Sequence, residues 1–417
     1  MDYPTTDRAP HFFPASSVTV GNTQSQRLLS LDALRGVALF GILFVNLFSF
    51  GADSIAWTTS ADRGVWLIKH ILFESKFWGL YSVLFGISFH LFMQSSRFSY
   101  FALGRRLAVL FLFGVVHALI FEGDILMLYA ELAVLLWLVH RLPSGVLLAL
   151  IAGLCVSFPL GHYFHSDRDA DPQPESIIEA KHWLTEDQAD DIHVNGTLGE
   201  IIQSHASYLP ERFWADYQYP DSGFLVLGFF LIGYLFARRG ALRQIHGSFV
   251  HQPGYAAGCW LLGVALMAIE QTALHASGYS AFSESLAGPA VTLLGDVVYV
   301  TATLLLTAAW FLTVQICVDR QVFPGGLELL ARAGRMSLTL YLMQTLIFTT
   351  IFYGYGLGKA YQLGPSQVLL LAIGIYTAQL IFASLWLRWF RIGPLEWIWR
   401  MGTHARPEPI RRDEDKG

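Results

Sequence analysis

The sequence predicts an all-α protein, a polytopic transmembrane helical bundle of about ten spans. Three observations lead there. The 417 residues are 54% hydrophobic and 14% charged, with a mean hydropathy of +0.45, whereas soluble proteins carry about 25% charged residues. Apolar stretches of membrane-crossing length recur along the chain, and a crossing needs roughly 20 residues for about 30 Å of hydrocarbon. Basic residues gather on alternate connections, which sets orientation by the positive-inside rule.

The stretches fall near 28–50, 65–93, 104–121, 125–140, 145–163, 222–238, 254–276, 289–317, 335–356 and 366–391. Glu74, Ser75 and Lys76 interrupt the second, and Gly79 follows, so a kink or a short in-plane lead-in is expected there. Arg97 with Arg105 and Arg106, then Arg141, then Arg238, Arg239 and Arg243, then Arg320 and Arg332, mark alternate loops. Arg400, Arg406, Arg411, Arg412 and Lys416 load the tail. The other connections are acidic or nearly neutral, with Asp53, Asp62, Glu122, Asp124 and Glu284. An even number of spans then places both the N and C termini in the cytoplasm.

The domain plan follows. Residues 1–27 form a polar cytoplasmic tail without the basic start and apolar stretch of a cleaved signal, so the first span is read as an uncleaved anchor. Residues 28–163 form an N-terminal transmembrane bundle, 164–221 an acidic extracytoplasmic loop, 222–400 a C-terminal transmembrane domain and 401–417 a charged cytoplasmic tail. The net charge of −5 is distributed without any basic block, so no nucleic-acid partner is expected. Cys155, Cys259 and Cys317 sit inside apolar runs and are read as packing residues. The outer loop holds thirteen acidic and three basic residues with His165, His182, His193 and His205. Their spacing has no metal-ligand order, so the loop is read as a solvated cap and no metal is expected. SIIEAKHWL and the stretch around LGEIIQSHASYL have weak helical amphipathicity. No internal repeat of the inverted-transporter type is evident.

Ionisable residues inside spans are costly and mark candidate sites. The hairpin GRRLAVLFLFGVVHALIFEGDILMLYAELAVLLW draws the eye first. Arg105 and Arg106 open it, and His117 lies close to Glu122 and Asp124. Arg35 and Asn46 are eleven residues apart on the first span, as are Arg106 and His117 on the third. That spacing returns to nearly one face about 16 Å further along a helix. Both helices thus carry a basic group near the cytoplasm and a polar group in the outer half. Asn46, Glu74, Lys76, His117, Asp124 and Gln344 are expected to converge on one outer cavity. Tyr129 and Tyr341 lie nearby, and Arg35, Arg105, Arg106 and Arg335 line its inner mouth. Each residue also has a plainer reading. Asp32 and Arg35 suit a local ion pair, Asn46 and His117 interhelical hydrogen bonds, Asp124 a helix cap, and the two arginines topology.

Several stretches together resemble one family. RLLSLDALRGVALFGILFVNLFSFG, KFWGLYSVLFGISF, RRL…GVVHALIFEGDILMLYAE, LGFFLIGYLFARRGAL, GRMSLTLYLMQTLIFTTIFYGYGLG and WLRWFRIGPLEWIWR are similar to the YeiB-type bacterial membrane proteins. The likeness runs from about residue 27 to 400 and implies a multi-pass protein of the bacterial inner membrane. Its C-terminal part resembles the domain of unknown function that labels that family. More distantly, the family resembles transmembrane acyltransferases such as heparan-alpha-glucosaminide N-acetyltransferase, which open with Asp…Arg-Gly and an Asn matching Asp32, Arg35, Gly36 and Asn46. The catalytic histidine of those enzymes follows that Asn closely. Here Phe48 to Lys69 contains none, and His70 is the first to follow.

The resemblance implies transfer of an acyl group from cytosolic acyl-CoA or acetyl-CoA to an extracytoplasmic or lipid-linked acceptor. Asp32, Arg35, Arg105, Arg106 and Arg335 would take the cosubstrate, with Lys76, Tyr129, Tyr341 and Gln344 also on the binding side. His117 would act as base, oriented by Asp124 or Glu74, with Asn46 or Gln344 donating to the oxyanion. The expected partners are membrane lipids and a small-molecule or glycan-like acceptor, and a homodimer is left open. The rival reading is a transporter or flippase for a small or lipid-linked substrate, with Glu74, Lys76 and His117 as its substrate or proton sites.

Overall fold

A computed structural model describes residues 18–52, 59–169, 186–218, 222–241, 253–271 and 288–412. Among these residues the protein is all-α, with no strand and a single isolated bridge between Phe390 and Arg411. The helices are α1 (Val18–Phe48), α2 (Ser60–Ile68), α3 (Lys76–Met93), α4 (Tyr100–Ala118), α5 (Leu126–Val139) and α6 (Ser144–Asp169). Next come α7 (Glu186–Asn195), α8 (Leu198–Gln218), α9 (Ser222–Arg238), α10 (Pro253–Ile269) and α11 (Gly288–Asp319). The chain closes with α12 (Pro324–Gly334), α13 (Ser337–Phe352), α14 (Pro365–Trp389) and α15 (Pro394–His404). Both termini, Asp53, Arg243, Glu284, His182 and SIIEAKHWL lie outside the described residues, as does the side chain of His165. The LGEIIQSHASYL stretch forms the start of α8.

Among the described residues, five segments are long and apolar enough to cross a membrane: Leu29–Phe48, Tyr100–Ala118, Ser144–Gly161, Leu293–Asp319 and Pro365–Trp389. Leu126–Val139, Gly223–Arg238, Pro253–Ile269 and Ser337–Phe352 are shorter apolar helices. Large apolar side chains stand bare on outward faces, among them Leu261 at 74% exposure and Leu370 at 70%. In water such faces would be a liability; against lipid they are the favourable surface. The protein is a helical membrane protein.

Close helix crossings organise the interior. On α3, a Cβ at Gly86 would lie 2.0 Å from the Phe230 carbonyl of α9, and one at Gly233 would lie 2.0 Å from that of Val83. Gly36 of α1 and Gly334 of α12 meet in the same reciprocal way, against Leu330 and Asp32 carbonyls. Lipid supplies no hydrophobic drive between helices, so small residues that admit close backbone contact hold such crossings together. The α1–α12 crossing carries Asp32 and Arg35, and so sets one wall of the site described below.

The break expected in the second stretch is present. A π-helical turn, Lys69–Phe73, follows α2, and Ser75 adopts φ 63° before α3 begins. A π-turn and a left-handed non-glycine residue are both costly, and both cluster at functional sites. Here they turn the side chains of Lys69, His70 and Glu74 inward.

Candidate functional site

The helical hairpin does pair its histidine with its carboxylate. His117 Nδ1 lies 2.7 Å from Asp124 Oδ1, and Nε2 lies 2.6 Å from Thr345 Oγ1 on α13. Asp124 also accepts from the amides of Leu126 and Met127, at 3.1 and 2.8 Å, and so caps α5. The pair is nearly sealed, with side-chain exposures of 2% and 0%. Both ring nitrogens are engaged, and the Tyr341 ring lies against the imidazole. This pair is a latch between the hairpin and α13.

A second histidine–carboxylate pair sits at the π-turn. His70 Nδ1 is 2.8 Å from Glu74 Oε2, the i,i+4 spacing that places two side chains on one helical face. Its Nε2 meets the Gln271 amide at 2.5 Å and Glu270 at 3.4 Å. Lys69 Nζ is 3.4 Å from Glu74, and the fully buried Lys76 donates to the His70 carbonyl at 2.9 Å. Trp66 stacks on the imidazole, and Ser75 hydrogen-bonds Tyr299 of α11. Glu74 keeps 33% of its side chain exposed and His70 13%, so this pair is less sealed than His117 and Asp124.

Toward the other end of α3 lies a cavity of about 370 Å³ lined by Asp32, Arg35, Tyr81, Ser88, Arg106, Arg335, Ser337, Glu396, Trp399 and Arg400. Arg35 bonds Asp32 at 2.9 Å and Ser88 at 2.6 Å. The Arg106 guanidinium lies 3.7 Å from the centroid of the Trp399 ring, a cation–π contact that holds it flat against the wall. Glu396 accepts from the amides of Leu338 and Thr339 and from the Thr339 hydroxyl, at 2.7, 3.0 and 2.6 Å. It thus caps the positive end of α13. Burial holds its carboxyl above the usual 4.5, and these hydrogen bonds oppose the shift.

A smaller cavity, about 90 Å³, is lined by Asn46, Phe73, Ser75, Trp78, Gly123 and Tyr341, with Gly41 and Phe77 among its other walls. Trp78 and Tyr81 are three residues apart on α3, and Ser337 and Tyr341 four apart on α13. The two cavities are therefore stacked about one helical turn apart along the same two helices.

The single convergence expected from the sequence is distributed over several groups. His117 and Asp124 form the latch. Glu74 and Lys76 belong to the His70 cluster, and Asn46 and Tyr341 to the small cavity. Gln344 donates to Gln379 at 2.8 Å within the α13–α14 packing, and Tyr129 bonds Ser82 at 2.6 Å in the core. Arg35, Arg106 and Arg335 line the large cavity with Asp32, whereas Arg105 turns away to the Thr403 carbonyl at 3.0 Å. His70, Glu270, Glu396, Trp399 and Arg400 were not read as site residues in the sequence. The available signal for His70 was its i,i+4 relation to Glu74.

Fold and site together define a helical membrane protein with charged groups built into its interior. Residues 236–406 match the domain described as Protein of unknown function (DUF418). The chain is 29% identical over 411 residues to "Uncharacterized protein YxaH" of Bacillus subtilis (strain 168), covering 93% of this chain and 96% of that protein. It is also 29% identical over 406 residues to "Uncharacterized protein YeiB" of Escherichia coli (strain K12), covering 91% and 96%. The chain is thus similar over most of its length to YeiB and YxaH, and its C-terminal part matches the DUF418 domain. These names carry no activity. No solved structure matches the chain significantly.

Proposed function

We propose that the protein is a ten-span enzyme of the bacterial inner membrane, with both termini cytoplasmic, that transfers an acyl group from acyl-CoA or acetyl-CoA to an extracytoplasmic or lipid-linked acceptor. One observation carries this reading: an arginine-lined cavity of about 370 Å³ stacked beneath a smaller, mainly apolar cavity that Asn46, Ser75 and Tyr341 help to line, Phe73 and Ser75 flanking Glu74 of a histidine–carboxylate pair. The positive-inside rule puts the arginines on the cytoplasmic side, where CoA is available. Guanidinium forks suit the phosphates of the cosubstrate, and Arg35, Arg106, Arg335 and Arg400 all line the wall. The thioester arm would extend along α3 and α13 toward Asn46.

In this reading His70 is the base and Glu74 fixes its tautomer, with Nδ1–H directed at the carboxylate and Nε2 left to accept. The Gln271 amide now occupies Nε2, the place an acceptor hydroxyl or amine would take. His70 Nε2 takes the acceptor's proton as its oxygen or nitrogen attacks the thioester carbon. Asn46 is placed to donate to the oxyanion. The C–S bond then breaks, and the CoA thiolate leaves with a proton returned from the imidazolium. His117 serves this chemistry by holding the hairpin wall in place.

Transport is the second reading. It is favoured by the mixed cluster of Lys69, Glu74, Lys76 and Glu270, whose charges inside the bundle suit a proton or substrate relay. Purified protein in nanodiscs separates the two. CoA and acetyl-CoA should raise the thermal midpoint saturably, and labelled acetyl groups should reach an acceptor. No stabilisation by either compound at millimolar concentration, together with pH-driven uptake in proteoliposomes, would overturn the enzyme reading.

A further inference from the structure

Two histidines of the outer loop, unremarkable by spacing, meet the hairpin. His193 lies in the last turn of α7, His205 lies on α8, and Glu122 sits at the tip of the α4–α5 hairpin. His193 Nε2 and His205 Nε2 are 3.1 Å apart, and they lie 3.6 and 3.5 Å from Glu122 Oε1. From this convergence we infer a divalent transition-metal site, of the type that takes Zn²⁺, with Glu122, His193 and His205 as ligands.

The triangle has the right size. Ligands about 2.0–2.1 Å from a tetrahedral zinc stand about 3.3 Å from one another, and the three observed separations bracket that value. The tautomer is set as well. His205 Nδ1 lies 3.2 Å from the Leu119 carbonyl, so it carries the hydrogen and Nε2 presents its lone pair to the centre. A ligating histidine that gives its other N–H to a backbone carbonyl is the usual outer support of a metal site. His193 is held by different contacts. Its ring stacks on Tyr353 at 4.8 Å, and its carbonyl accepts from the Gly354 amide at 2.8 Å.

Two imidazoles and one carboxylate favour zinc, cobalt or nickel over magnesium or calcium, which prefer all-oxygen shells. A water would complete the tetrahedron. The ion would fasten α7 and α8 to the hairpin, since Leu119 lies two residues beyond His117 on the same turn. The site is independent of the acyl-transfer reading, because none of its ligands has a role there.

Tag-free protein in detergent, stripped with chelator and reloaded with Zn²⁺ or Co²⁺, tests the assignment. Wild-type protein should retain one equivalent of Zn²⁺ per chain after dialysis. Its Co²⁺ form should show visible bands of four-coordinate nitrogen and oxygen ligation. The H193A/H205A double variant and E122Q should each lose affinity by at least about 10-fold, the lower bound for losing a metal's supporting group. Zn²⁺ should raise the thermal midpoint of the wild type and not of the variants. If the variants do not fold, the wild-type spectrum decides. An intense near-ultraviolet thiolate band would place the ion at a cysteine and overturn the assignment. So would equal Zn²⁺ retention by wild type and variants, or no retention by the wild type, which would leave a plain hydrogen bond between the two histidines.

Discussion

His117–Asp124 and His70–Glu74 are both histidine–carboxylate pairs, and they differ in everything except chemistry. His117–Asp124 is sealed, with each ring nitrogen engaged and the carboxylate also capping α5. His70–Glu74 lies at a backbone irregularity, among two lysines and a second carboxylate, with part of its surface exposed. Burial with full satisfaction makes a polar pair a fastener, since every change of protonation or partner is costly. Burial with competing partners leaves a group able to exchange one contact for another. Within a membrane protein, an intramembrane histidine alone does not mark the reactive one. In the proposed reading, partial exposure and competing partners do.

The largest expected effect divides the pairs directly. H70Q should lower acyl transfer by about 10²–10⁴-fold, the contribution typical of a general base, with an unchanged thermal midpoint. A fully active H70Q would return the catalytic role to His117. Asp124→Ala should act in the opposite way, costing about 3–5 kcal/mol of stability as a broken buried pair does. Thermal unfolding in detergent checks it, and a loss below about 1 kcal/mol would remove the fastener interpretation. Arg106→Ala should raise the CoA concentration for half-maximal stabilisation about tenfold, equivalent to about 1.4 kcal/mol. R105A provides the contrast, since Arg105 faces Thr403 rather than the cavity.

Two smaller effects concern pH, and their signs oppose. The folded-state pKa of Glu396 is raised, so its contribution to stability is greatest below 4.5 and declines as pH rises through the folded value. E396Q should flatten that decline in midpoint-versus-pH curves. Asp62 is held below 3.8 by hydrogen bonds from Ser366 and Thr59. Its contribution is present above 3.8 and is lost as pH falls through the folded value. D62N should remove only this acid-side loss, the smallest change of the series.

The sequence was most readable where chemistry is local. Asp124 follows His117 by seven residues across a tight hairpin, so their meeting needed no knowledge of the fold. The paired arginines show the limit. Adjacent helical residues point about 100° apart, and only Arg106 could face inward once α4 was rotated by its packing on α15. The choice between them lay in that rotation and not in the residue types. His70 depends on Glu270 and Gln271, two hundred residues away, and an apolar run concealed it. His193 and His205 looked unordered because their third partner, Glu122, belongs to another part of the chain.

The arginine cavity has a consequence for the timing of assembly. One wall carries Asp32 and Arg35 from the first helix, and another carries Trp399 and Arg400 from α15, which also holds the cap of α13. A ribosome-bound chain lacking its last helix would have the arginines of α1 and α4 but neither the Trp399 platform nor the Glu396 cap. The cavity wall is therefore complete only once α15 has been made and has packed against α4 and α13.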